Sequence, residues 1–166
     1  MSKKIPLQDL HYNLNAWISK TLSIPNPIFN NMPACPYAKK AWTEDKVEVC
    51  AFDSWVDAYS FLVTKEWNFP EVEVVIISFP PEGITPDMLS LTLDKLTDSW
   101  KHDHLVILED HPDEVEEVKE FNLNFKEAAL LLVQPRSKLN EARAYLESKG
   151  YYKNWTKDYK NSVQAR

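Results

Sequence analysis

Two residues of this sequence have side chains suited to catalysis: Cys35, in the motif Cys-Pro-Tyr-Ala, and His111, in the motif His-Pro-Asp. A cysteine acts as a nucleophile when it is a thiolate, and a helix N-terminus or a nearby cation lowers its pKa. Pro36 is suited to the first position of a short helix, which would place Cys35 at the N-cap and Lys39 one turn further on. The sequence therefore predicts an activated thiol at Cys35.

His111 follows a predicted strand, at the edge where open α/β sheets bind their ligands. An imidazole there would act as a base or orienting group for the thiol, with Asp113 or Glu109 holding it in position as the third member of a triad does. A positive charge at Lys39 would suit a small anionic substrate. The predicted catalytic residues are Cys35, His111 and Asp113, and the predicted substrate contacts are Tyr37, Lys39 and Glu109.

The same residues also fit a protein without catalysis. Free cysteine is among the most buried residue types and packs like a small apolar side chain, and His-Pro-Asp is an ordinary turn between a strand and a helix. In this alternative the chain is a binding or adaptor protein that meets a partner through aromatic side chains and an acidic face. The acidic side chains of that face are Glu114, Glu116, Glu117 and Glu120.

The histidines at His102 and His104 raise a separate question about metal binding. Two imidazoles at this spacing point the same way only if both lie on a strand, and His102 is predicted to end the preceding helix. The sequence leaves metal binding at this corner open, assigns no metal site and identifies no cofactor.

The elements that must position these residues alternate between strand and helix. Apolar residues at helical spacing predict a helix over residues 6–22, and a proline-rich loop follows. Further helices are predicted over residues 55–67, 85–100 and 137–149, with a short acidic helix over 111–121. Strands are predicted over residues 46–52, 72–79, 104–109 and 128–134.

This order predicts an α/β fold with a single four-stranded sheet, parallel or mixed, with thioredoxin-like or ferredoxin-like layering. The prediction is one domain over residues 1–155 and a flexible tail over 156–166. Glycine occurs only at Gly83 and Gly150, which excludes the glycine-rich loops that bind nucleotide phosphates.

Composition narrows the class of protein further. The formal net charge of -6 argues against nucleic acid as a partner, and no apolar run is long enough for a membrane span. Two cysteines and no signal peptide predict a reduced, cytoplasmic location. The expected partners are a small-molecule substrate or another protein.

The motifs together resemble a family of small, uncharacterised bacterial proteins. In that family a tryptophan-bearing N-terminal helix precedes Cys-Pro-Phe-Ala, a strand leads into His-Pro-Asp, and an apolar strand follows late in the chain. The residues here that match are Trp17, the motif beginning at Cys35, the motif beginning at His111, and the run from Leu130 to Val133. The resemblance implies that Cys35 and His111 share one site, and it implies no particular activity.

Overall fold

The computed structural model of the chain describes residues 3–67, 69, 71–114, 117–118 and 121–165. Its main sheet has four strands in the spatial order β3-β4-β8-β5. These strands are β3 (Val47–Ala51), β4 (Val74–Phe79), β5 (Leu105–Asp110) and β8 (Ala129–Pro135). The short strands are β1 (Pro25–Asn26) paired with β2 (Met32–Pro33), and β6 (Glu117–Val118) paired with β7 (Phe121–Asn122).

The sheet is mixed because its last strand runs against its neighbours. β3 and β4 are parallel, as a helical crossover between consecutive strands requires. β8 enters between β4 and β5 and is antiparallel to both, with Ile77 opposite Leu131 and Ile107 opposite Val133. The predicted α/β class and mixed four-stranded sheet are confirmed.

Helices cover both faces of this sheet. They are α1 (Leu7–Trp17), α2 (Ala38–Thr43), α3 (Trp55–Thr64), α4 (Pro86–Ser99), α5 (Arg136–Ser148) and α6 (Lys157–Gln164). A π-helical turn, Ile18–Leu22, continues α1. The helices that follow Ser54 and Thr85 begin where these hydroxyls accept a backbone N–H of the first turn.

Alternation along the strands separates two apolar clusters. On one face Ile77 and Leu131 pack with Leu62 of α3 and other side chains of α3 and α4. On the other face Ile76 and Leu130 pack with Leu14 and its neighbours on α1. The sheet is therefore the middle layer of three. Its central strands, β4 and β8, are largely apolar in sequence because both faces of the sheet are covered.

Two predicted elements differ from the structure. The acidic helix over residues 111–121 is absent from the described part of that segment, where β6 and β7 form an antiparallel hairpin. Val115, Val118 and Phe121 recur every three positions, which is compatible with a helix, so the pairing of the two short strands could not be inferred from this pattern. Two of the acidic side chains singled out above, Glu116 and Glu120, lie outside the described residues.

The second difference is the chain end, where a flexible tail was expected from residue 156. Residues Lys157–Gln164 form α6, and the Thr156 hydroxyl caps it by accepting the N–H of Tyr159. Lys160 forms an ion pair with Glu147 on α5 at 2.7 Å. The helix is stabilised by this contact across to α5, which the local sequence pattern does not reveal.

Candidate functional site

Cys35 lies in the proline-rich loop three residues before α2, whose N-cap is Tyr37 and not Cys35 as predicted. Its N–H donates to the carbonyl of Leu22, the last residue of the π-helical turn, at 2.9 Å. The backbone N–H groups of Tyr37 and Ala38 lie close to the thiol and lower its pKa, as the predicted helix N-terminus would. Desolvation is the larger effect and raises the pKa of Cys35 above its ordinary value. Burial therefore disfavours the thiolate that the sequence predicted.

The surroundings of the thiol are aromatic. Tyr151 is buried, stacks on Phe29 at 5.2 Å between ring centroids, and donates its hydroxyl hydrogen to the carbonyl of Ala34. Burial, followed by the proximity of Cys35 and Tyr152, raises the pKa of Tyr151. The shift of Cys35 itself comes from desolvation, opposed by the backbone N–H groups of Tyr37 and Ala38, so the loss of water around the thiol is what disfavours an anionic sulfur.

The structure places Tyr37, a predicted substrate contact, at the outer side of this aromatic region. Its ring is 40% exposed and meets the 50% exposed ring of Tyr145 on α5 edge to face, at 6.4 Å between centroids. The Nζ atom of Lys149 lies 5.5 Å from the centre of the Tyr145 ring. Lys39, the other predicted contact in this region, is exposed at the start of α2. We call Tyr37, Tyr145 and Lys149 the tyrosine–lysine surface.

His111 is 1% exposed, and backbone groups occupy both of its ring nitrogens. The N–H of Asp113 donates to Nδ1 at 3.1 Å, so Nδ1 carries a lone pair and the ring proton resides on Nε2. Nε2 then donates to the carbonyl of Ile84 at 2.8 Å and lies 3.2 Å from that of Pro81. The imidazole thus joins the end of β5 to the turn between β4 and α4.

The predicted orienting groups meet His111 differently from a catalytic triad. The Asp113 carboxylate is 4.0 Å from Nδ1 and largely exposed, and it is the backbone N–H of this residue that bonds the ring. Glu109 is half-buried on β5 opposite Leu131. Both ring nitrogens of His111 bond backbone groups, so the fold rather than a carboxylate orients this ring, and its pairing with Cys35 stays a prediction.

The end of β5 is fastened by further buried polar groups. The Asn124 amide donates to the carbonyl of His111 at 3.3 Å and also to that of Glu114. The carboxylate of Asp110 accepts the N–H of Phe125 at 3.2 Å. These hydrogen bonds from buried side chains hold the backbone at the end of β5, which supports a structural role for His111.

His102, His104 and Cys50 lie elsewhere in the fold. The rings of His102 and His104 lie 5.8 Å apart at the corner between α4 and β5. Within the described part of the chain, no group of three or more histidine, cysteine, aspartate or glutamate side chains converges as metal ligands would. Cys50 lies on the sheet face opposite Val47 and Val49, as alternation predicts, and its pKa is raised to about 11, mainly by burial.

Two cavities lie away from Cys35 and His111. One, of about 80 Å³, is at the β3 edge beneath the ion pair of Glu48 and Lys65. The other, of about 430 Å³, is a groove between α5 and α6. Neither cavity was predicted from the sequence. The groove in particular exists only because α6 packs against α5.

No protein-family model, curated protein or solved structure matches this chain. None of the helices among the described residues is both long and apolar enough to cross a membrane.

Proposed function

We propose that this protein is a non-catalytic binding protein that recognises an acidic segment of a partner protein through the tyrosine–lysine surface. The observation that carries the proposal is the meeting of Tyr37 and Tyr145, two partly exposed rings that are far apart in the sequence. Single exposed aromatic residues are common on protein surfaces. A pair assembled by the fold and bordered by a lysine is a more specific feature.

The chemistry of these side chains suits recognition. Tyrosine provides a rigid apolar surface and a polar hydroxyl at low entropic cost, and it is enriched among the residues that dominate binding energy. The Lys149 ammonium lies over the Tyr145 ring and adds a local positive charge, as does exposed Lys39 beside Tyr37. The whole chain carries a net charge of -6, whereas this surface carries two lysines. Their positive charge favours an acidic partner at this place on the molecule.

The enzyme alternative is less well supported. It requires a Cys35 thiolate and an imidazole base within reach, whereas burial raises the pKa of Cys35 and the nitrogens of His111 bond backbone groups. We also propose a cytoplasmic location, supported by Cys35 and Cys50 being free thiols. The resemblance to an uncharacterised bacterial family remains a prediction.

The test uses peptides of defined charge. A blocked peptide of repeated Glu-Glu-Phe is titrated into the ¹⁵N-labelled protein, and backbone shifts are followed by NMR. Saturable shifts confined to the start of α2 and the end of α5 are expected. Repeated Glu-Glu-Ala should bind more weakly because it lacks rings to pack on the tyrosines, and repeated Lys-Lys-Phe should not bind at this surface.

Variants separate recognition from stability. Replacing Tyr37 and Tyr145 together by serine should weaken binding of the Glu-Glu-Phe peptide by about tenfold or more, because both rings are central to the contact. Tyr12→Ser is the matched control, since Tyr12 is 75% exposed on α1. Equal affinity for all peptides, or equal loss in the control variant, would refute the proposal.

A further inference from the structure

The groove between α5 and α6 is an open cleft lined mainly by polar and charged side chains. Its volume is about 430 Å³, within the range of pockets that hold small molecules. We call it the α5–α6 groove. Its lining residues are Asn140, Arg143, Ala144, Glu147, Lys160 and Gln164.

Arg143 forms one wall of the groove. The side chain is half-buried, and Nη2 donates to the carbonyl of Val163 on α6 at 2.8 Å. A guanidinium donates to several acceptors in one plane, which suits oxyanions. Desolvation lowers the pKa of Arg143; of the nearby groups, Tyr152 opposes this shift and Arg136 adds to it. A bound anion would offset the desolvation of the cation.

Lys160 supplies the second positive charge. Its Nζ atom is 2.7 and 2.8 Å from the two carboxylate oxygens of Glu147 and lies 5.4 Å from the centre of the Tyr152 ring. With Arg143 the lining therefore carries two cations against one carboxylate, in a protein whose overall charge is negative. The amides of Asn140 and Gln164 also line the groove, and the Gln164 side chain hydrogen-bonds Tyr152.

We propose that the α5–α6 groove binds the phosphate group of a small phosphomonoester, with Arg143 and Lys160 as the charged contacts. Glu147 competes with the phosphate for Lys160 and so limits the affinity. The site involves none of the residues of the tyrosine–lysine surface, so it stands or falls independently of the proposed function.

The probe is inorganic phosphate. The ¹⁵N-labelled full chain is titrated with phosphate in place of chloride, at constant pH and ionic strength, and the side-chain signals of Arg143 and Gln164 are followed by NMR. Saturable shifts of these signals are expected. Shifts that grow linearly without saturation, or that occur elsewhere on the molecule, would overturn the proposal.

Variants decide between a phosphate site and a purely structural groove. Glu147→Gln should tighten phosphate binding about threefold or more, because it removes a competing negative charge; unchanged or weaker binding contradicts the proposal. Arg143→Lys should weaken binding about tenfold by removing the planar donor fork. If that variant does not fold, Asn140→Ala must weaken binding instead. Lys138→Gln, an exposed change on α5 outside the lining, should leave the affinity unaltered.

Discussion

The strongest prediction about stability concerns His111, which the structure identifies as a connector between β5 and the turn that precedes α4. Replacing it by alanine removes an acceptor for the Asp113 N–H and a donor for the Ile84 and Pro81 carbonyls. Because the ring is 1% exposed, water does not replace these partners without rearrangement.

The size of the effect follows from these contacts. Each hydrogen bond contributes about 1 kcal/mol net, and loss of the packed ring adds about 1 kcal/mol for the cavity it leaves. Counting the strong bonds of Nδ1 and Nε2, we expect His111→Ala to lower the free energy of unfolding by about 3 kcal/mol. For a chain of this length that corresponds to a drop in Tm of roughly 6 to 12 °C.

Urea unfolding followed by tryptophan fluorescence measures this change, since the chain has six tryptophans. His111→Gln, which can place an amide donor near the Ile84 carbonyl, should lose less stability than His111→Ala. His104→Ala changes a histidine whose side chain is 64% exposed and should cost less than about 0.5 kcal/mol. A loss below about 1 kcal/mol in His111→Ala would refute the structural role.

Two further predictions concern Glu114 and Gly150. Desolvation raises the pKa of the Glu114 carboxyl in the folded state. The protonated carboxyl therefore favours the folded state below the ordinary pKa of glutamate, and this stabilisation is lost as the pH rises through the raised pKa of the folded protein. Glu114→Gln should therefore stabilise the protein at neutral pH by roughly 0.5 kcal/mol, with the difference vanishing near pH 4 in urea titrations; a larger difference in acid would contradict this. Gly150 has φ +74°, and a Cβ atom added there would lie 3.0 Å from the side-chain nitrogen Nδ2 of Asn30. Gly150→Ala should cost about 1 to 2 kcal/mol by calorimetry and Gly150→Asn less, because asparagine tolerates this conformation; equal losses would refute the backbone explanation.

The positions of the main strands could be predicted from the sequence because they are rich in consecutive apolar and β-branched residues, whereas a strand with one exposed face alternates apolar and polar residues. β4 and β8 are buried on both faces, and each lies within about two residues of its predicted range. The place of β8 between β4 and β5 could not be predicted. Strand order depends on which faces pack together, and no local pattern encodes that choice.

At the candidate site, contacts from residues nearby in the chain could be predicted and contacts from distant residues could not. The residues around Cys35 correctly indicated backbone N–H groups near the thiol, since those come from the next residues in the chain. The desolvation that outweighs them depends on tertiary packing, and Tyr151, which lies near Cys35, is more than a hundred positions later in the chain. The partners of His111, at Pro81 and Ile84, are likewise distant in sequence. Residue type and spacing therefore indicated where these two groups lie in the chain, but not the tertiary contacts that surround them.

The most direct test of whether Cys35 and His111 act separately is the alkylation rate of the thiol. Iodoacetamide is reacted at neutral pH with a Cys50→Ala protein, in which Cys35 is the sole cysteine. We predict labelling about tenfold or more slower than that of free cysteine, because burial raises the pKa of Cys35, and the same rate when His111→Gln is added. Labelling faster than free cysteine, and slowed by His111→Gln, would show a coupled catalytic pair and contradict this account.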